Sequence, residues 1–175
     1  MRLLGIVSIL FVSLSCMYNV ETHPPNKYTQ DIFLDKEKDI IAKVTSVDIY
    51  WVSAAIDTSF VDWLETLNDS RKIKSMHGEE AIRFLETAQK SDSQYLGINK
   101  YFEEDTFHVK FYIKGEPEYG YFIINRCIRR GHVSTVVKYI DFVAETHSHY
   151  NDEMYNILTD ITKEYIKESA LRERN

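Results

Sequence analysis

A histidine-bearing segment near the C-terminus, THSHYNDE from Thr146 to Glu153, contains the residues best suited to metal chemistry. In an extended chain His147 and His149 point to one side, and Asp152, or Glu153 in its place, can add a carboxylate oxygen. Zinc needs roughly three or four converging ligands, so this set is incomplete. A polar loop that leads into a helix cap explains the same residues. We therefore predict no metal site and no cofactor, and keep these three residues as candidates for a metal-dependent enzyme.

Other arrangements that could support catalysis are sparse. His77 and Glu80 stand three positions apart at the expected start of a helix, a spacing that would place them on one face for acid–base catalysis. The positive end of a helix accounts for Glu80 without catalysis. The serines have no G-x-S-x-G context, and the six glycines form no phosphate-binding fingerprint. The sequence predicts no active site.

Aromatic residues are the main compositional excess, with twelve tyrosines and nine phenylalanines. Strand alternation places Tyr112, Tyr119 and Tyr121 on the outer face of a predicted sheet. Tyrosine offers rigid contact area and a hydroxyl, so these residues are candidates for a binding surface. The alternative is cross-strand pairing that only stabilises the sheet.

The N-terminus has the layout of an export signal. Arg2 precedes an uncharged apolar run that is too short to span a bilayer and ends in small residues before Cys16. The stretch Val12–Ser15 followed by Cys16 resembles the lipobox of bacterial lipoproteins, which implies that the Cys16 thiol carries diacylglycerol with two acyl chains such as palmitate. The expectation is an anchor on the extracytoplasmic face of the cell membrane. The alternative is a secreted protein with an ordinary signal peptide.

Charge and cysteine content narrow the class of protein. The net charge is −6 for the whole chain, and loss of Arg2 with residues 1–15 makes it −7. This charge argues against a nucleic-acid partner and against a polybasic membrane patch. Cys16 and Cys127 are the only cysteines, too few for a disulfide-stapled scaffold, and Cys127 is expected to be buried.

Composition and periodicity divide the chain into a signal peptide at 1–15, a lipidated cysteine with a flexible tether at 16–41, and a single domain at 42–175. A strand is predicted where Val47, Ile49 and Trp51 alternate with polar or aromatic residues. A helix capped by Ser75 should follow, with Ala81, Ile82, Leu85 and Ala88 on its apolar side. The segment FVDWLETL is compatible with either a helix or a strand.

The second half of the chain predicts an antiparallel meander followed by a helix. In TFHVKFYIK, the residues Phe107, Val109, Phe111 and Ile113 alternate with polar ones, and two further strands are separated by glycine-containing turns. Asn151 can cap a final amphipathic helix. The predicted fold class is α+β, with an antiparallel β-sheet meander packed against two principal α-helices.

The order of these signals resembles small uncharacterised lipoprotein domains of Bacillus-type bacteria, on the segments DIYWV, EEAIRFLETAQ, LGI, HVKFYIK and YGYFIIN. The resemblance implies a membrane-tethered extracytoplasmic α+β domain without established catalytic residues. We expect a non-catalytic binding module with a protein or peptide partner. The alternatives are an envelope hydrolase or metal-dependent enzyme that uses the His147 and His149 region, and an inhibitor or immunity-type protein.

Overall fold

The computed structural model of the chain describes residues 27–34, 39–53, 71–94, 101–117, 119–129, 131–140 and 146–172. These residues form seven β-strands in one sheet of order β2-β1-β4-β5-β6-β7-β3, together with three α-helices. The strands are β1 Val44–Ser53, β2 Lys72–His77, β3 Ser93–Gln94, β4 Tyr101–Ile113, β5 Tyr119–Arg129, β6 His132–Ile140 and β7 Thr146–Tyr150. The helices are α1 Lys27–Phe33, α2 Glu79–Ala88 and α3 Asp152–Arg172, and a 3-10 turn spans Ile41–Lys43.

All pairings in the sheet are antiparallel, and β4 to β7 follow one another as a meander. The fold class is therefore α+β, as predicted. Three strands, β2, β3 and β7, were not predicted. A helix cap at Ser75 was expected in place of β2, and polar loops in place of β3 and β7. All three strands are short and rich in polar residues, so their alternation lacks a clear apolar face.

One face of the sheet, which we call the inner face, packs against the helices and forms the core. Its central strand β4 contributes Phe107, Val109, Phe111 and Ile113, all of which are buried as predicted. The neighbouring strands contribute Val47, Ile49, Phe122, Ile124 and Val137 to the same cluster. Alternation with a period of two residues gives each strand this single apolar side.

Helix α2 begins after Gly78 and not after Ser75. Gly78 has a positive φ of 54°, a conformation that glycine adopts at low cost, and it stands at the N-cap. The prediction that Ser75 caps this helix is wrong, because Ser75 lies in β2 and its hydroxyl donates to Asp48 Oδ1 at 2.6 Å. The predicted apolar side is confirmed, with Ala81, Leu85 and Ala88 buried and Ile82 partly buried against the core.

Helix α3 is capped as predicted, because the backbone N–H of Met154 donates to the side-chain oxygen of Asn151 at 3.2 Å. Asn151 also donates from its amide nitrogen to the carbonyl of Thr87 at 2.7 Å. The cap therefore joins the start of α3 to the end of α2. Met154, Leu158 and Ile161 of α3 are buried against the sheet.

The predicted tether is folded where the structure describes it. Helix α1 lies within residues 16–41, and its Ile32 and Phe33 are buried in the core. Thr29 accepts a hydrogen bond from the backbone N–H of Tyr121 and donates to the carbonyl of the same residue. A flexible tether therefore does not describe Lys27–Phe33, a short helix whose two buried apolar residues stand close to prolines and charges in the sequence.

The inner face contains one close approach between strands. Gly120 pairs with Phe111, whose ring lies directly over the glycine, and a Cβ atom at position 120 would fall 1.7 Å from the ring. Only glycine leaves room for the ring at this position.

The predicted signal peptide, Cys16 and the segment FVDWLETL lie outside the described residues. Among the described helices, none is both long enough and apolar enough to cross a membrane.

Candidate functional site

The candidate site is the outer face of the sheet, on the side opposite the inner face. Register places Asp48 and Tyr50 of β1 beside Lys110 and His108 of β4. On the other side of β4, Lys110 pairs with Tyr121 and Tyr112 pairs with Tyr119 of β5. The predicted residues Tyr112, Tyr119 and Tyr121 therefore share this face. None of the described helices supplies residues to the cluster that these side chains form.

Asp48 is a centre of polar contacts on the outer face. Its carboxylate accepts from Ser75 and lies 3.8 Å from Lys72 Nζ. Partial burial and the nearby Asp48 carboxylate raise the pKa of Tyr112, because both disfavour the phenolate. Tyr112 therefore remains a neutral hydrogen-bond donor beside a carboxylate.

Lys110 of β4 contacts aromatic residues of both neighbouring strands, β1 and β5. Its Nζ atom lies 4.7 Å from the ring centroid of Tyr119 and 5.3 Å from that of Tyr50, distances typical of cation–π contacts. The rings of Tyr112 and Tyr119 are 6.2 Å apart and tilted. The outer face thus combines aromatic surface with the ammonium groups of Lys110 and Lys72 and the carboxylate of Asp48.

The outer face is divided into an accessible part and a buried part. Tyr112, Tyr119 and Lys110 are half-buried, whereas Tyr50 and His108 are buried. His108 Nδ1 is hydrogen-bonded to the hydroxyl of Tyr121, and burial raises the pKa of Tyr121 well above 10. The alternation of β4 puts His108 on the polar side of the strand, where it would be expected to face solvent, but it is only 7% exposed. The main role of Tyr121 on this face is therefore its hydrogen bond with His108, and it offers little contact area to a partner.

The histidine segment does not form the arrangement expected of a metal centre. His147 and His149 do share the inner side of β7, as alternation predicted. His149 Nε2 lies 3.0 Å from the carbonyl of Ala88, and the ring of His147 stacks on Tyr139 with centroids 5.3 Å apart. Asp152 is exposed at the start of α3, where its backbone N–H donates to Asp92. The described residues contain no group of three or more histidine, cysteine, aspartate or glutamate side chains placed to hold a metal ion.

The second proposed pair, His77 and Glu80, is not on one helix. His77 ends β2, Glu80 belongs to α2, and both are exposed. Glu80 Oε1 lies 3.9 Å from Lys74 Nζ. Cys127 is fully buried in a small cluster with Val136 and Tyr150, as expected for a structural cysteine.

One polar pair was missed by the sequence analysis. Arg126 of β5 forms an ion pair with Asp105 of β4, and both side chains are largely buried. The guanidinium also donates to the hydroxyl of Thr159 at 3.3 Å and lies over the ring of Tyr155, both on α3. Alternation in β5 places Arg126 on the same side as Phe122 and Ile124, and this signal could have shown that it faces inward. Asp105 lies directly opposite Arg126 in the register of β4 and β5, on the same side of β4 as Phe107.

No family model, curated protein or solved structure matches the chain.

Proposed function

We propose that the protein is a membrane-tethered extracytoplasmic lipoprotein whose domain is a non-catalytic binding module. The contact surface is the accessible part of the outer face, formed by Tyr112, Tyr119 and Lys110. The observation that carries the proposal is that a tyrosine pair, a lysine over one of its rings and the Asp48 carboxylate share one half-buried sheet surface.

The chemistry of this surface suits a protein or peptide partner. Tyrosine supplies large contact area at low cost in conformational entropy, and its hydroxyl can pair with polar groups of a partner. Strands β1, β4 and β5 hold these side chains on the central part of the sheet. A rigid surface loses less conformational entropy on binding than a flexible loop does.

The histidine region has structural roles that favour binding over hydrolysis. His149 joins β7 to the end of α2, and His147 packs on Tyr139. A hydrolase or metal enzyme at this place would need these imidazoles to turn toward substrate or metal. Zinc or manganese retained at near one equivalent by the full chain, and lost in His147→Ala, would overturn the non-catalytic proposal.

The membrane anchor is tested at Cys16. The full chain and a Cys16→Ser variant are expressed in a bacterium, and detergent partitioning and intact mass are compared. We expect the wild type to carry added lipid mass and to enter the detergent phase, because two acyl chains hold a domain at a bilayer where one holds it marginally. A wild type without lipid mass, released into the medium like the variant, would mean that the protein is secreted.

The contact surface is tested by photo-crosslinking in intact cells. A benzophenone amino acid replaces Tyr112 on the outer face, and in a matched control it replaces Glu86, an exposed residue on helix α2. We expect an adduct of discrete mass from position 112 and none of that mass from position 86. Adding Tyr119→Ala to the position-112 variant should reduce the adduct. Equal adducts at the two positions, or none at position 112, would reject the outer face as the contact surface.

A further inference from the structure

A groove of about 740 Å³ lies on the helix side of the molecule, between β2, α2 and α3. Its floor is apolar, with Met76 from β2, Phe84 from α2 and Ile157 and Ile161 from α3. Lys74 bounds the groove, because its Nζ atom lies 3.9 Å from Glu80 of α2 and 3.3 Å from Glu164 of α3. The groove is separate from the outer face described above.

The α3 side of the groove carries charges of both signs in a regular order. Asp160, Lys163, Glu164 and Lys167 all line it. Their spacing of i, i+3, i+4 and i+7 places them on one side of the helix. Leu171 continues this spacing at i+11 and is 52% exposed, although it is a large apolar side chain. The surface therefore has an acidic end, a basic end and an apolar residue beyond the basic end.

When two copies of α3 run in opposite directions, this order of charges places opposite charges face to face. In an antiparallel pair of α3 helices with a two-fold axis between positions 163 and 164, Asp160 of each copy faces Lys167 of the other. The same axis places Lys163 opposite Glu164. It also brings Leu171 of each copy to the turn that contains Ile157 of the other. A closed two-fold interface requires a patch that matches itself in this way.

From this complementarity we propose that the groove side of α3 is a homodimer interface, occupied by α3 of a second copy of this chain. The interface consists of the groove floor, the charged residues from Asp160 to Lys167, and Leu171. It leaves the outer face of both copies directed away from the contact, so that one dimer can present two binding surfaces. The proposal does not depend on the outer-face binding function.

The test is sedimentation velocity of the full chain in a mild non-ionic detergent over a wide range of protein concentration. We expect reversible dimerisation of the wild type. Asp160→Lys and Lys167→Glu each place like charges at two symmetry-related contacts, so each should raise the dissociation constant about tenfold. The double variant Asp160→Lys with Lys167→Glu restores opposite charges and should dimerise like the wild type.

Two matched substitutions test the apolar contact. Leu171 and Ile166 are both on α3 and both 52% exposed, but Ile166 does not share the side of Asp160 and Lys167. Leu171→Glu should weaken the dimer strongly and Ile166→Glu should not, while circular dichroism shows that both remain folded. A wild type that stays monomeric, a Leu171→Glu variant that dimerises normally, or a charge-swapped double variant as weak as the single ones would each overturn the proposed interface.

Discussion

The two faces of the sheet arise from the same alternation of residues along the strands, but they are stabilised by different kinds of contact. The inner face buries aliphatic and phenylalanine side chains beneath three helices, and its geometry is set by packing. The outer face carries tyrosine, lysine, histidine and aspartate, and its geometry is set by pairwise polar and cation–π contacts. An apolar contact tolerates few changes of volume, whereas a polar contact tolerates many changes of shape and few of charge.

Burial alone does not distinguish the faces. Tyr50 and His108 of the outer face are as inaccessible as much of the core, yet each contacts a polar or charged side chain. The inner face has the reverse exception, the Asp105–Arg126 ion pair beneath α3. The two faces therefore differ in what each buried group contacts, and substitutions can test this difference one contact at a time.

The largest expected effect is the difference between lysine substitutions at two adjacent positions of β4 that face opposite sides of the sheet. Phe111→Lys places an ammonium in the fully buried core and should leave the domain unfolded, because truncation of a buried phenylalanine alone costs about 3–5 kcal/mol. Tyr112→Lys, on the half-buried outer side, should fold. Circular dichroism and urea unfolding measure both. If Tyr112→Lys were the less stable variant, the assignment of faces would be wrong.

The next effect compares an ion pair on each face. Asp105→Ala leaves Arg126 largely buried without its carboxylate, and we expect a loss of about 3–5 kcal/mol in the free energy of unfolding. Lys72→Ala on the outer face removes a side chain that is 32% exposed and lies 3.8 Å from Asp48, so its cost should stay below about 1 kcal/mol. Chemical denaturation measures both, and equal losses would contradict the distinction.

A smaller effect is expected where the backbone of β5 approaches the core. Gly120→Ala drives a methyl group into the ring of Phe111, and overpacking of this kind costs about 1–3 kcal/mol. In the double variant with Phe111→Leu, the alanine should cost less, because the planar ring that it meets is gone. A double-mutant cycle measures the coupling between the two positions. Strict additivity would show that the ring is not what excludes a side chain at position 120.

Much of the fold could be predicted because its central elements have strong periodicity. The apolar alternation of β4, the stripe of α2 and the cap at Asn151 each follow from local sequence, and all three are present in the structure. Helix α1 was missed because its two buried apolar residues, Ile32 and Phe33, stand among prolines and charges. Strand β2 was missed because the residue that forms a capping pattern, Ser75, instead pairs with Asp48 on the neighbouring strand.

The candidate site was less predictable, since alternation gives the side of a sheet but not the contacts across it. It placed Tyr112, Tyr119 and Tyr121 together, but the partner of each depends on strand register and bulges. The position of Lys110 between two tyrosine rings requires β1, β4 and β5 to be aligned. The burial of His108 and the ion pair of Arg126 likewise depend on contacts between residues that are far apart in the sequence.

The smallest expected effect is a pH dependence that originates on the outer face. The pKa of Tyr121 is well above 10 in the folded domain because of burial, whereas an unfolded tyrosine titrates near about 10. Above that pH the unfolded state releases a proton that the folded state keeps, so the contribution of Tyr121 to stability is present below about pH 10 and falls as pH rises further. Tyr121→Phe should flatten the decrease in the free energy of unfolding at alkaline pH, although loss of the contact with His108 lowers stability at neutral pH. Tyr112→Phe, which removes a residue with a less strongly raised pKa, should flatten it less. Urea unfolding from neutral to strongly alkaline pH gives both slopes. An unchanged alkaline slope in Tyr121→Phe would mean that this hydroxyl is as well solvated in the folded domain as in the unfolded chain.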